Sequence, residues 1–426
     1  MKKLLLSLAS SLFVLTSLFA QSYCGTSRYD SEIFTNVTTT SNVVYGSNAD
    51  LNGSAVSLTM DIYQPTGDVA TQRPVIIFAH GGSFIGGTKT DADEVALATR
   101  FAKRGYLTAS ISYRLGMGFP INQTGATKAV WRAVQDMKAA VRFFRKDAAT
   151  TNTYKADPNY IFVGGYSAGA FMAVHYAYLD QPSEIPAAID TNLLGGLQGN
   201  SGNPGYSIAI NGVLNFAGAV GDTSWMHPGD EPMVTAQGNS DNTVPYCTAM
   251  LSVSGFPIMT VSGGGTMHIR CFHTGIYNPI HTYYGQDHPA SVSTSPNNID
   301  STILLASDFV YKYLGCTPSG NPAIYINNQT CVPGVTGIDT PIVLNDENVS
   351  LFPNPVSENF TLTLKNVKGN KFSAQIFDIT GREVKNISFT EKNISVTRNN
   401  IQNGFYFLKM TSDAGELFVT KIMFTE

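Results

Sequence analysis

The spacing of apolar residues changes once along the chain, near Gly315, and each side of that change predicts a different fold. Upstream, residues 73–80 read Arg-Pro-Val-Ile-Ile-Phe-Ala-His, a nearly continuous apolar run. A strand buried on both faces has this pattern. Residues 57–65 alternate and stop at Pro65, as an antiparallel strand does. Further strands are predicted over 106–114, 160–165, 210–220, 232–238 and 278–285. Between them, apolar residues recur three and four apart over 92–105, 128–148, 168–179 and 301–314, which predicts helices. The first of these ends on Gly105, a residue suited to stopping a helix. Strands alternating with helices over this length predict an α/β domain, a mostly parallel sheet with helices on both faces. Residues 316–346 are rich in turn formers and lack a period, as a linker would. From Val349 the helical spacing is lost. Segments such as Phe-Thr-Leu-Thr-Leu (360–364) and Gly-Phe-Tyr-Phe-Leu-Lys-Met (404–410) read as short strands between turns. They predict a small all-β sandwich over 347–426.

Composition adds compartment and partners. The 426 residues exceed one ordinary domain, in keeping with the two textures. Charged residues make up 14%, the net charge is −4, and no basic stripe occurs, which argues against a nucleic-acid partner. The first twenty residues, MKKLLLSLASSLFVLTSLFA, have the charged start, apolar centre and small final residue of a secretory leader cut after Ala20. Loss of Lys2 and Lys3 with that leader takes the charge from −4 to −6. No later run approaches the length that spans a bilayer. Export permits disulfides. Cys24, Cys247, Cys271, Cys316 and Cys331 make an odd set, and the short-loop pairs expected are Cys316 with Cys331 and Cys247 with Cys271.

Candidate chemistry centres on Gly165-Tyr166-Ser167-Ala168-Gly169, a G-x-S-x-G pattern. The pattern acquires meaning from its context, since a strand is predicted before it and a helix after it. A tight turn there lifts the serine oxygen above the sheet, and small neighbours avoid clashes. Ser167 is therefore the expected nucleophile. An attacking serine needs backbone N–H donors for the developing oxyanion. Ala168 supplies one, and the glycine-rich loop over 79–87, after a buried strand, is the expected source of others. An acid and then a histidine should follow in chain order. Asp241 lies in a loop after the 232–238 strand and is the expected acid, with Asp222 as competitor. Of His268, His273, His281 and His288, only His288 falls between the last strand and the final helix, and it is the expected base. Asp287 beside it suits a loop cap. The run His-Ile-Arg-Cys-Phe-His (268–273) closes no four-ligand metal set, so neither metal nor cofactor is expected.

His80-Gly81-Gly82-Ser83-Phe84, Ser-Ile-Ser-Tyr-Arg-Leu-Gly (110–116) and Gly-Gly-Tyr-Ser-Ala-Gly-Ala (164–170) resemble the serine carboxylesterases of the α/β-hydrolase fold. The nearest groups are those related to hormone-sensitive lipase, the type B esterases, and secreted feruloyl and acetylxylan esterases. The resemblance covers about residues 40–315. It implies that Gly82 and Ser83 join Ala168 as oxyanion donors, and that Asp241, in a G-x-x-D-x-x-V-P setting, is the acid. Ser83 stands where the family more often has glycine.

Residues 349–426 resemble the C-terminal sorting domain of type IX secretion cargo. The matching features are Phe352-Pro353-Asn354-Pro355, Asp378, Gly381-Arg382 and Gly404-Phe405-Tyr406-Phe407. That resemblance implies the type IX machinery as a partner and a Gram-negative host, with the product secreted or at the cell surface. A carbohydrate-binding module is the competing reading of the tail, but most aromatic residues alternate into its strands. The organisation expected is a leader (1–20), an α/β-hydrolase domain (21–315), a linker (316–346) and a sorting domain (347–426). The function expected is hydrolysis of a carboxylic ester: a polysaccharide-linked acetyl or feruloyl group, a short-chain lipid or a polyester. A serine peptidase of the same fold and a non-catalytic surface adhesin are the alternatives. Residues 181–206 are too few for a full cap domain.

Overall fold

The computed structural model describes residues 23–294, 297–318, 331, 342–344, 348–378, 382–414 and 416–426. The expected leader and Gly381 lie outside the described residues. Contacts divide the chain into two compact units. One holds Met1–Met117, Thr127–Ala249 and Thr260–Cys331, and the other holds Gly118–Ala126, Met250–Met259 and Val332–Glu426.

In chain order the first part comprises β1 (Val37–Ala49), β2 (Ala55–Pro65), β3 (Arg73–Ala79), α1 (Ala92–Ala102), β4 (Leu107–Ile111), α2 (Gln123–Ala149), β5 (Ala156–Tyr166), α3 (Ala168–Tyr178) and the single turn α4 (Thr191–Leu194). Then follow β6 (Val213–Phe216), β7 (Ala219–Val220), β8 (Met233–Gly238), β9 (Thr248–Val253), β10 (Phe256–Gly263), α5 (Gly264–Thr274), β11 (Ile280–Tyr283) and α6 (Ile299–Tyr313). Eight strands form the main sheet in the order β1-β2-β4-β3-β5-β6-β8-β11. The β1–β2 and β2–β4 pairs are antiparallel, and every later pair is parallel. All side chains of β3, β4, β6 and β8 are buried, which explains the apolar run over 74–79 and leaves few polar residues in the other three. Helix α3 is buried along its whole length and is apolar all round. One large core joins Ile76 and Phe78 of β3, Phe101 of α1, Phe162 of β5 and Phe309 of α6.

The predicted strand over 210–220 is two strands, because Ala217 between them takes a left-handed φ of 58°. Strands β7, β10 and β9 form a separate small sheet.

Buried polar groups tie the layers together. Asp136 of α2 is fully buried and accepts from Arg114 Nη2 at 2.7 Å, from the Arg114 backbone N–H at 2.9 Å and from Ser201 Oγ at 2.6 Å. Arg114 Nη1 also donates to Ala49 O at 2.8 Å. Lys89 pairs with Asp61 of β2 at 2.7 Å.

The cysteine pairing departs from the short-loop expectation. Cys24 bonds Cys316 and Cys247 bonds Cys331, leaving Cys271 free. Cys271 faces the interior from α5, where burial pushes its thiol up to about 12. Cys331 instead packs with Tyr246 and Ile280. Both bonds close longer loops than those expected, 292 and 84 residues, and so restrict the unfolded chain more strongly.

The second part holds β12 (Ile342–Val343), β13 (Val349–Phe352), β14 (Asn359–Leu364), β15 (Phe372–Phe377), β16 (Glu383–Phe389), β17 (Asn393–Thr397), β18 (Gly404–Ser412) and β19 (Glu416–Phe424). They form two sheets, β12-β19-β18-β15-β16 and β13-β14-β17. Phe360 and Leu362 of one sheet share a core with Ile376, Leu408 and Ile422 of the other. This is the all-β layer pair expected from the alternating tail.

Candidate active site

Ser167 sits between the end of β5 and the first residue of α3. Its backbone, at φ 55° and ψ −119°, lies outside the regions a non-glycine residue prefers. The surroundings hold it there. The Ser167 N–H donates to Phe216 O at 2.9 Å, fastening the turn to the end of β6. Gly169 lets α3 pass against β3, because a Cβ at that position would stand 1.8 Å from Ala79 O.

The other expected residues arrive from distant loops. His288 opens a short 3-10 turn after β11, and Asp241 lies in the loop after β8. His288 Nε2 is 2.8 Å from Ser167 Oγ, and His288 Nδ1 is 2.8 Å from Asp241 Oδ2. A carboxylate accepts only, so Nδ1–H donates to Asp241 and Nε2 is left to accept the serine proton. The Asp241 carboxylate is buried and fully engaged. Its Oδ1 accepts from Thr243 N at 2.9 Å and Val244 N at 2.8 Å, and its Oδ2 also accepts from Gln237 Nε2 at 3.1 Å.

The competing residues lie elsewhere. Asp222 caps a 3-10 turn by accepting from Ser224 N at 2.8 Å. His281 is within β11, and His268 and His273 are on α5. Among the described residues no group of His, Cys, Asp and Glu could hold a metal ion.

The glycine-rich loop runs directly beside Ser167: a Cβ on Gly81 would lie 3.3 Å from the serine Cβ. Gly82 turns the loop at φ 104°, and its carbonyl accepts from Ile85 N and Gly86 N at 3.0 Å each. Ser83 and Phe84 follow at φ 53° and 58°. Among the described residues no acceptor bonds the N–H of Gly82 or Ser83. Ala168 is the first residue of its helix, so its N–H has no intrahelical partner. His80 braces the loop from behind. Its Nδ1–H donates to Gly81 O at 2.7 Å, its ring stacks on Tyr113 at 4.3 Å, and burial lowers its pKa.

Residues 60–225 match the BD-FAE family, and residues 350–425 match the secretion system C-terminal sorting domain. The sheet domain is thus similar to an esterase family and the tail to secretion sorting domains. The BD-FAE match includes Gly82, Ser83, Ser167 and Ala168 but ends before Asp241 and His288. Gut esterase 1 of Caenorhabditis elegans is 34% identical over 114 residues, which is 26% of this chain and 19% of that protein. Carboxylesterase 3B of Mus musculus is 35% identical over 117 residues, 27% of this chain and 19% of that protein. This chain therefore spans only about a fifth of the length of those relatives. Butyrate-bound esterase 2 of Thermogutta terrifontis is 20% identical, with a TM-score of 0.48 over 66% of this chain and 96% of that one. Among the described residues no helix is long and apolar enough to cross a membrane.

Two residues beside the candidate site, Gln237 and Tyr166, carry no motif, and a third buried polar residue, Glu94, lies on α1. Gln237 closes β8 and is fully buried. It donates to both Asp241 and Val244 O while accepting from Gly264 N, so one amide shapes the acid loop. Its only sequence signal is a polar side chain ending an apolar strand. Tyr166 lays its ring 5.0 Å from the His288 ring. Glu94 of α1 is 1% exposed, and one of its oxygens has no partner among the described residues. Burial, with Asp93 and Asp91 nearby, pushes its carboxyl from 4.5 up to about 8.

A stability consequence follows from Glu94. Between pH 4.5 and about 8 the folded chain keeps this proton and the unfolded chain has lost it. Stability therefore falls as pH rises through that window, by up to roughly 1.4 kcal/mol per pH unit. Glu94→Gln is expected to remove this slope, so that the variant gains on the wild type steadily from pH 5 to pH 8. Urea midpoints at those two pH values measure it, and parallel pH dependences for the two proteins would contradict it.

Proposed function

We propose that this protein is a secreted serine hydrolase of carboxylic esters. The observation that carries the reading is the continuous hydrogen-bonded line Ser167–His288–Asp241, with 2.8 Å at each link. Ser167 Oγ attacks the ester carbonyl while His288 Nε2 takes its proton. The N–H groups of Gly82, Ser83 and Ala168 hold the oxyanion, each contributing about 3 kcal/mol to the transition state by comparison with other hydrolases. His288 returns the proton to the departing alcohol. Water, deprotonated by His288, then attacks the acyl-serine, releasing the carboxylic acid and restoring Ser167. Asp241 keeps the imidazole in the required tautomer and stabilises its charged form. None of these steps draws on a cofactor.

The substrate class is an ester of a small molecule or a polymer: an acetyl or feruloyl group on a polysaccharide, a short-chain lipid, or a polyester. The sorting domain supports export by the type IX machinery of a Gram-negative bacterium, with the product secreted or held at the cell surface. The test is a series of nitrophenyl acyl esters run beside feruloyl and acetyl-xylan substrates, with an organophosphonate label. Turnover of at least one ester is expected, together with one label on the peptide containing Gly-Gly-Tyr-Ser-Ala-Gly-Ala. No turnover of any ester, or a label on another serine, would sink the reading.

The two units are proposed to separate chemistry from sorting. A chain of residues 21–335 retains every cysteine of both disulfides and all the residues given roles above. Its kcat/KM on a soluble ester is expected to stay within a few-fold of the full chain. A hundredfold loss in a folded product would contradict the separation.

A further inference from the structure

The residue before the proposed base holds two loops at once. Asp287 Oδ1 accepts from the His288 backbone N–H at 2.7 Å and from the Asn242 backbone N–H at 2.8 Å. Its Oδ2 accepts from Asn242 Nδ2 at 3.3 Å. Asn242 directly follows Asp241. One carboxylate thus holds the main chain of His288 and the main chain next to its acid partner, 45 residues away in sequence.

The same two loops are already joined one step further out. Ser240 N–H donates to Gln286 O at 3.0 Å, and Gly285 N–H donates to Asn239 Oδ1 at 2.6 Å. Gly238 lies so close to the histidine loop that a Cβ there would come within 2.2 Å of Gln286 O. Asp287 extends this seam to the His288–Asp241 pair itself.

We propose that Asp287 is a positioning residue, which sets the distance between His288 and Asp241 by clamping the histidine loop to the acid loop. This rests on the reading of Ser167, His288 and Asp241 as the reacting set. The clamp works through ionic hydrogen bonds, which are shorter and stiffer than neutral ones. Its three donors, headed by the Asn242 N–H, hold the carboxyl below the usual range, which favours the charged form. The side chain is exposed, so the fold gains little from its burial. The positional demand is severe, because a displacement of about 1 Å in a reacting set lowers rates by roughly a hundredfold.

A cap alone would be a simpler role, since Asp287 also begins the 3-10 turn His288–Ser291. The two roles separate experimentally. Asp287→Ser keeps a capping oxygen but cannot reach Asn242. Asp287→Asn keeps an oxygen that both backbone N–H groups can use. On a small nitrophenyl ester, Asp287→Ser and Asp287→Ala are expected to lower kcat by roughly 10- to 100-fold, with KM within about twofold. Asp287→Asn is expected to recover kcat to within about fivefold of wild type. Titration with an organophosphonate should still find one reactive serine per chain in each variant, labelled more slowly in proportion to kcat.

Wild-type kcat in Asp287→Ser would overturn the clamp and leave only the cap. A lower rate that matched a lower fraction of titratable chains would also overturn it, since the loss would then lie in folding. A wild-type protein that took the label on a serine other than Ser167 would instead overturn the reading on which the clamp rests.

Discussion

Ser167→Ala is expected to lower ester turnover by roughly 10⁴- to 10⁶-fold while leaving the fold intact. The oxygen it removes is the one 2.8 Å from His288 Nε2. What remains is the backbone bond to Phe216 O, the Cβ that packs against the Gly81 loop, and the whole of α3. Alanine meets the same unfavourable φ of 55° as serine, so the stored strain is unchanged and the melting temperature should move little. His288→Ala is expected to cause a comparable fall, because an un-ionised hydroxyl attacks poorly. Asp241→Asn should cost less but still orders of magnitude, since an amide can present its N–H to His288 and turn the wrong tautomer toward the serine. The three act as a unit, so the triple variant should be little worse than Ser167→Ala alone. Steady-state rates, with phosphonate labelling as the control for site identity, measure all of this. A folded Ser167→Ala protein that kept a tenth of wild-type activity would refute the assignment.

The largest effect on stability is expected from Arg114. Its guanidinium meets Asp136, a carboxylate with no exposed surface, and its remaining N–H groups reach Ala49 O, Arg132 O and Ser201 Oγ. Arg114→Leu leaves that carboxylate buried with its charge uncompensated, a change that typically costs 3–5 kcal/mol. Replacing both partners is a different experiment. Arg114→Leu with Asp136→Leu removes the stranded charge, and the double variant is expected to be more stable than Arg114→Leu alone. Urea unfolding with an unchanged m-value is the measurement. A single-variant loss under about 1 kcal/mol would show that water or a rearranged neighbour satisfies Asp136.

Much of the main sheet was legible because burial on both faces favours apolar runs, as over residues 74–79 of β3. Strand β1 gave no such signal: it is an edge strand, and among its side chains only Tyr45 is buried. The β9–β10 hairpin and α5 were missed for a related reason, since their mixed exposure blurs both periods. The break between β6 and β7 turns on an alanine at positive φ, which no residue preference announces. In the candidate site, Ser167 and the glycine loop stand out because their constraints are local. Asp241 and His288 were singled out by their order along the chain. Gln237 and the reach of Asp287 to Asn242 depend on which loops meet in space, and a single sequence does not record that. The disulfides were misjudged for the same reason. Short loops close easily, but the fold brings together Cys24 and Cys316 instead.

That last bond bears on the timing of folding. Its two sulfurs are separated by 292 residues, nearly the length of the α/β-hydrolase unit. A chain emerging from a ribosome or a translocation pore carries Cys24 out early and must wait for Cys316. The cross-link can therefore close only after the last helix has followed the sheet into an oxidising compartment. A chain halted part-way, or kept among reduced thiols, lacks this restraint and remains the more easily threaded form.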